Sequence, residues 1–136
     1  MFKENKSEKS IILRTFNTQI IQFLDDINSV IRQDEIIQSK KYLESIKSLN
    51  PSLIIKIWYA HIEVPYHEQI QHKNIQFFLE KDYSIDLNKL PNSDTIIKTI
   101  NSSIREPLKQ MDEEDLKHCK SYIKLLSELS KRYSDL

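Results

Sequence analysis

Glycine is absent from all 136 residues of this chain. Glycine supplies the φ > 0 positions of tight hairpins, the loops that cradle phosphates and the elbow beneath many nucleophiles. A chain without it is poorly suited to loop-built nucleotide sites and to hairpin-rich folds, and well suited to helices joined by Asn, Asp, Ser and Pro. Cysteine occurs once, at Cys119, so no intrachain disulfide can form and a reducing compartment is the default. Alanine occurs once, at Ala60, while isoleucine fills 21 positions. With 16 Lys against four Arg and eight Asn, the isoleucine richness reads as the codon bias of an AT-rich genome rather than as β structure.

Net charge is also missing. The formal charge is zero at neutral pH, and no region hides a pole: residues 1–50, 51–91 and 92–136 balance to +1, −1 and 0. A dedicated nucleic-acid binder ordinarily carries a basic excess or block. No apolar run approaches the ~18 residues needed to span a bilayer, so no membrane association is expected. The opening Met1-Phe2-Lys3-Glu4-Asn5-Lys6 lacks the apolar core of a signal peptide, and Phe2 stands where myristoylation requires glycine. These features predict a protein that is not secreted.

What is present is helical periodicity. Residues 1–10, polar and mixed in charge, are expected as a flexible N-terminal arm, with 11–136 forming one helical domain. From about Ser10 to Arg32, Leu13, Phe16, Ile20, Phe23, Leu24, Ile27 and Ile31 recur on one face. Asp34 is the expected N-cap of a second helix ending near Leu49. Asn50-Pro51 should open a third, Ser52 to Glu63, apolar nearly all round and therefore central. Pro65 should end or kink it, leaving Tyr66–His72 as a short helical turn. Asn74–Lys81 reads as another short helix and Asp82–Pro91 as the one long loop. A helix capped at Asn92 or Ser93 should run to about Arg105 and break before Pro107. Asp112 should cap the last helix, whose first turn holds Glu113, Glu114 and Asp115. The fold expected is all-α: a compact single-domain bundle of about six helices around the apolar helix 52–63.

The chemical constellations are sparse. His67 and His72 flank a Glu, yet they lie five apart, about 140° around a helix, where zinc-protease histidines are four apart on one face. His61 shares a face with Ile54, Ile57 and Trp58 and reads as a partly buried, hydrogen-bonded histidine. His118 and Cys119 point about 100° apart, so the imidazole cannot easily activate the thiol, and Cys119 falls on the apolar seam Leu116, Cys119, Ile123, Leu126. No catalytic residue, metal ligand or cofactor is expected. Lys117, Lys120, Lys124 and Lys131 share one face of the last helix and are the candidate phosphate contacts. Glu113 and Glu128, four residues from Lys117 and Lys124, suggest instead that i,i+4 pairs dress this face. Six of the twelve aromatics fall between Trp58 and Tyr83. Phe77, Tyr83, Ile85 and Leu87, at the edge of the long loop, are therefore the candidate protein interface, the alternative being that the Asp82–Pro91 loop is a lid pinned over its own core.

Phe16-Asn17, the run Asn50-Pro51-Ser52-Leu53-Ile54-Ile55-Lys56-Ile57-Trp58, Val64-Pro65-Tyr66, the run Ile75 to Tyr83 and the closing Leu125-Leu126-Ser127-Glu128-Leu129-Ser130 resemble a family of short all-helical proteins. That family is encoded by large nucleocytoplasmic DNA viruses, the giant viruses and algal viruses. The resemblance extends from about Phe16 to Tyr133. It brings no assigned activity and no catalytic motif, so it implies an origin and no site residues. The expectation that follows is a non-enzymatic interaction or structural protein, virion-associated or acting in the viral factory of the host cytoplasm, with other viral proteins as partners. The alternative is an accessory factor that contacts viral nucleic acid through the Lys-rich face.

Overall fold

The computed structural model describes residues 2–72 and 93–136, and among these every regular element is helical. The elements are α1 (Phe2–Val30), α2 (Asp34–Leu49), α3 (Leu53–Trp58), α4 (Val64–Gln71), α5 (Ser93–Ile100), α6 (Glu106–Leu108) and α7 (Glu113–Asp135). Two π-helical turns, Tyr59–Glu63 and Asn101–Arg105, join α3 to α4 and α5 to α6. The described residues therefore form five continuous helical runs. α1 packs chiefly against α7 and α2, and α3 sits among all three.

The apolar stripe of α1 is the wall of the core: Phe16, Ile20, Phe23, Leu24 and Ile27 are fully buried. Facing it, every residue of α3 except Lys56 is buried, as the all-round apolar pattern required. Ile96, Ile97 and Ile100 of α5 and Cys119, Tyr122, Ile123 and Leu126 of α7 complete the cluster. Aromatic geometry fixes the joints. Phe16 meets Trp58 edge to face at 6.1 Å, and Phe23 stacks on Tyr122 at 4.6 Å. The Trp58 Nε1–H donates to the Ser127 hydroxyl at 2.9 Å, so the largest core side chain keeps its polar atom satisfied inside the protein.

Both π turns answer the same problem. In an α-helix a proline leaves the carbonyl four residues back without its donor and presses its ring against it. For Pro65 that carbonyl belongs to His61 and for Pro107 to Ser103, and each lies inside a π turn. The wider turn passes the N–H of Val64 to the carbonyl of Tyr59, five residues back, and moves the chain clear of the ring. The helix is thereby kinked at Pro65, where Tyr66 takes φ −123° and ψ 21°, and is not ended. At Pro107 the expected break before the proline is absent: the chain stays helical through Glu106.

Other boundaries differ from the local signals. Asp34 is the first residue of α2 rather than its cap; Gln33 holds that place, its N–H bound 3.3 Å from the Asn28 side-chain oxygen. Pro51 lies in the turn before α3, whose first residue is Leu53; the Leu53 N–H bonds the Asn50 carbonyl at 3.1 Å. Buried Asn17 reaches across from α1 and donates to the Pro51 carbonyl at 2.9 Å, leaving its own Oδ1 buried without a partner. Residues 1–10, expected as an arm, carry helical backbone from Phe2. Glu8 pairs with Arg132, and the Lys9 ammonium lies 4.8 Å from the centre of the Tyr133 ring. Asp112 caps α7 as expected, its carboxylate accepting from the Asp115 N–H at 2.9 Å.

Candidate functional site

α7 has two working sides. Its inner side closes the core through Cys119, Tyr122, Ile123 and Leu126. The 3.6-residue period then turns Lys117, Lys120, Ser121 and Lys124 outward together. They border a hollow of about 850 Å³ whose described walls all come from α7. Leu116 and Leu125 flank the lysines, and Glu113 and Glu128 stand at the two ends. Leu125 is 36% exposed, which makes it an apolar side chain offered to whatever enters.

The sequence suggested that Glu113 and Glu128 neutralise this row. Among the described residues they do not: Lys117, Lys120 and Lys124 make no ion pair, and neither i,i+4 pair closes to 4 Å. Lys131, placed on the same face by its phase, lies beyond the hollow and is held by Asp135 at 3.1 Å. That contact, first among the causes, raises the Lys131 pKa from its ordinary value. Three of the four candidate phosphate contacts are therefore brought together and the fourth is engaged elsewhere. Phe77, Tyr83, Ile85 and Leu87, the candidate protein interface, lie outside the described residues.

The histidines and the cysteine are scattered over the described fold. His61 is buried within the first π turn. His67 binds Glu63, a carboxylate only 3% exposed, at 2.6 Å; His72 lies on the surface 3.4 Å from Glu68. The Cys119 sulfur lies 3.6 Å from the Met111 sulfur, and burial pushes its thiol up to about 12. A thiol held neutral in this way is a packing group and a poor nucleophile. Among the described residues no three His, Cys, Asp or Glu side chains come together in a way that could hold a metal ion.

One cluster had no local signature. Asp26 on α1 accepts from the Tyr122 hydroxyl at 2.6 Å and lies 3.3 Å from His118 Nε2, both on α7. The His118 ring meets Tyr122 edge-on at 5.4 Å. Burial, followed by the bond to Asp26, pushes the Tyr122 hydroxyl up to about 12. The partners are more than ninety positions apart in the chain, so no short spacing could have joined them. The cluster clamps α1 to α7 and leaves the outward row of lysines on the far side of the helix.

No helix among the described residues is long and apolar enough to cross a membrane. Comparison of the chain with protein-family models, with curated proteins and with solved structures gives no match.

Proposed function

We propose that this chain is a non-enzymatic interaction protein of a large DNA virus, carried in the virion or acting at the viral replication site, and that it meets its partner through the outward face of α7. The observation that carries this reading is the outward side of α7, where exposed Leu125 stands beside three lysines that make no ion pair among the described residues. Surface cations on a solvated helix cost little unpaired, but an exposed apolar side chain beside them is a feature of protein-docking surfaces. The viral assignment rests on the resemblance of the Asn50–Trp58, Val64–Tyr66 and Leu125–Ser130 runs. The non-enzymatic assignment is supported by the bond of His118 to Asp26 between α7 and α1 and by the packing of the Cys119 thiol against Met111.

Co-purification from infected cells tests the reading. Ser121→Trp, a bulky change at an exposed position outside the core, should abolish recovery of the viral partner while the far-ultraviolet circular dichroism and melting temperature stay native. Unchanged recovery with Ser121→Trp would place the interface elsewhere.

The unpaired lysines also keep a nucleic-acid reading in play. With zero net charge and glutamates at both ends of the row, the expected outcome is no mobility shift of DNA or RNA at micromolar protein in physiological salt. Non-specific binders reach Kd of roughly 10⁻⁴–10⁻⁶ M there by releasing counterions. A shift below micromolar protein that weakens when Lys117, Lys120 and Lys124 become Gln would establish the nucleic-acid role instead.

A further inference from the structure

Residues 54–65 and 96–107 match at a fixed offset of 42 positions. Ile54-Ile55-Lys56 stands against Ile96-Ile97-Lys98, Ile62 against Ile104 and Pro65 against Pro107, so five of the twelve aligned residues are identical. The structure repeats the match. In both segments the π turn occupies the same five aligned positions, Tyr59–Glu63 and Asn101–Arg105, and ends two residues before the proline. Burial keeps the same register: Ile54, Ile55 and Ile62 are inside, as are Ile96, Ile97 and Ile104, while Lys56 and Lys98 are exposed.

A proline by itself does not account for this. It disturbs the α turn at the carbonyl four residues back, and a break, a simple kink or a wider turn can each answer it. The abundance of isoleucine does not account for it either, because the match extends to charge. Asp, Glu, Lys and Arg are almost never fully buried. Among the described residues only two are buried, Glu63 at 3% exposure and Arg105 at 8%. They fall at the same aligned position, the last residue of each π turn, and carry opposite signs. The aligned residues differ where the segments meet different neighbours: Trp58, which reaches Phe16 and Ser127, has Ile100 as its counterpart. We infer that residues 54–65 and 96–107 are two copies of one structural unit, duplicated within the chain, in which the proline holds a π turn at a fixed place in the helix. Equivalent positions in the two copies should then respond alike to the same change.

The test reads through-hydrogen-bond NMR couplings between amide nitrogens and carbonyl carbons in the isotope-labelled full chain. The parent should show the five-residue pairs of a π turn in both copies, Val64 to Tyr59 and Glu106 to Asn101. Pro65→Ala and Pro107→Ala each restore an N–H. In each variant the altered copy should lose its five-residue coupling and gain a four-residue one, to His61 or to Ser103, while the other copy is unchanged. Pro107 is buried. Where an alanine variant fails to fold, Pro65→Val or Pro107→Val, closer to proline in volume, repeats the measurement. Thr99→Ile with Ser102→Ala gives the second copy the residues of the first at two aligned positions. That chain should fold with native circular dichroism and keep both five-residue couplings. Three results would each overturn the shared unit: an ordinary four-residue pattern in either copy of the parent, a five-residue coupling that survives removal of its proline, or loss of the second π turn in the Thr99→Ile, Ser102→Ala chain.

Discussion

Trp58→Ala is expected to destabilise the protein by about 3–5 kcal/mol, the range for emptying a fully buried large aromatic site. Typical domains are stable by only ~5–15 kcal/mol, so the variant should be close to unfolding. The indole is fully buried between α1 and α7, touches Phe16 edge to face and donates its only polar hydrogen to buried Ser127. Removing it opens a cavity and strands that hydroxyl. Trp58→Phe separates the two terms: it keeps most of the apolar volume and loses the hydrogen bond, for an expected cost of about 1–3 kcal/mol. Urea unfolding followed by far-ultraviolet circular dichroism measures both. An alanine variant within about 1 kcal/mol of the parent would mean that α3 is not the centre of the core. So would a red-shifted, readily quenched native emission.

Stability should also fall steeply in alkali, and Cys119 and Tyr122 set where. Burial, with Asp115 and Asp26 adding to it, raises the Cys119 thiol from 9.0 to about 12. Burial first, then the Asp26 bond, raises the Tyr122 hydroxyl from 10.0 to about 12. In both cases folding favours the protonated, neutral form. Their contribution is complete below the unfolded values and is lost as pH climbs through the folded ones. Above pH 9 the unfolded chain has released protons that the folded chain still holds, so unfolding becomes easier with each step. Each group contributes a slope of about 1.4 kcal/mol per pH unit while pH lies between its two values. Cys119→Ala should flatten the first part of that decline, where only the thiol differs between the states. Parallel curves for parent and Cys119→Ala between pH 9 and 10 would contradict the burial of the thiol.

Much of the scaffold is legible in the sequence because it is local. The stripe from Leu13 to Ile27, the all-round apolar run into Trp58 and the Asp112 cap each depend on neighbours within a turn or two. Pro65 and Pro107 were harder to read. A proline signals a break, and only the packed chain reveals that a π turn upstream can absorb it, with buried His61 and Ser103 at the carbonyls concerned. Residues 2–10 lack a strong apolar stripe. Their helix finds partners at Arg132 and Tyr133, at the far end of the chain. The Asn17–Pro51 and Asp26–Tyr122 bonds are tertiary in the same sense. On α7 the lysine stripe was visible from its phase. That Lys117 and Lys124 ignore the glutamates four residues away was not visible, because i,i+4 spacing permits a pair without enforcing one.

The proposed role of the outward side of α7 in meeting a partner protein is tested most directly by amide-resolved NMR titration with the viral partner that co-purifies with the chain. Adding that partner to the isotope-labelled full chain should perturb the amides from Glu113 to Glu128, with the largest shifts around Lys120, Ser121 and Lys124. The amides of Phe16, Leu24 and Trp58 in the core should stay in place. Perturbations centred on another surface, such as the exposed end of α2 around Leu49, or no perturbation at saturating partner, would contradict that role.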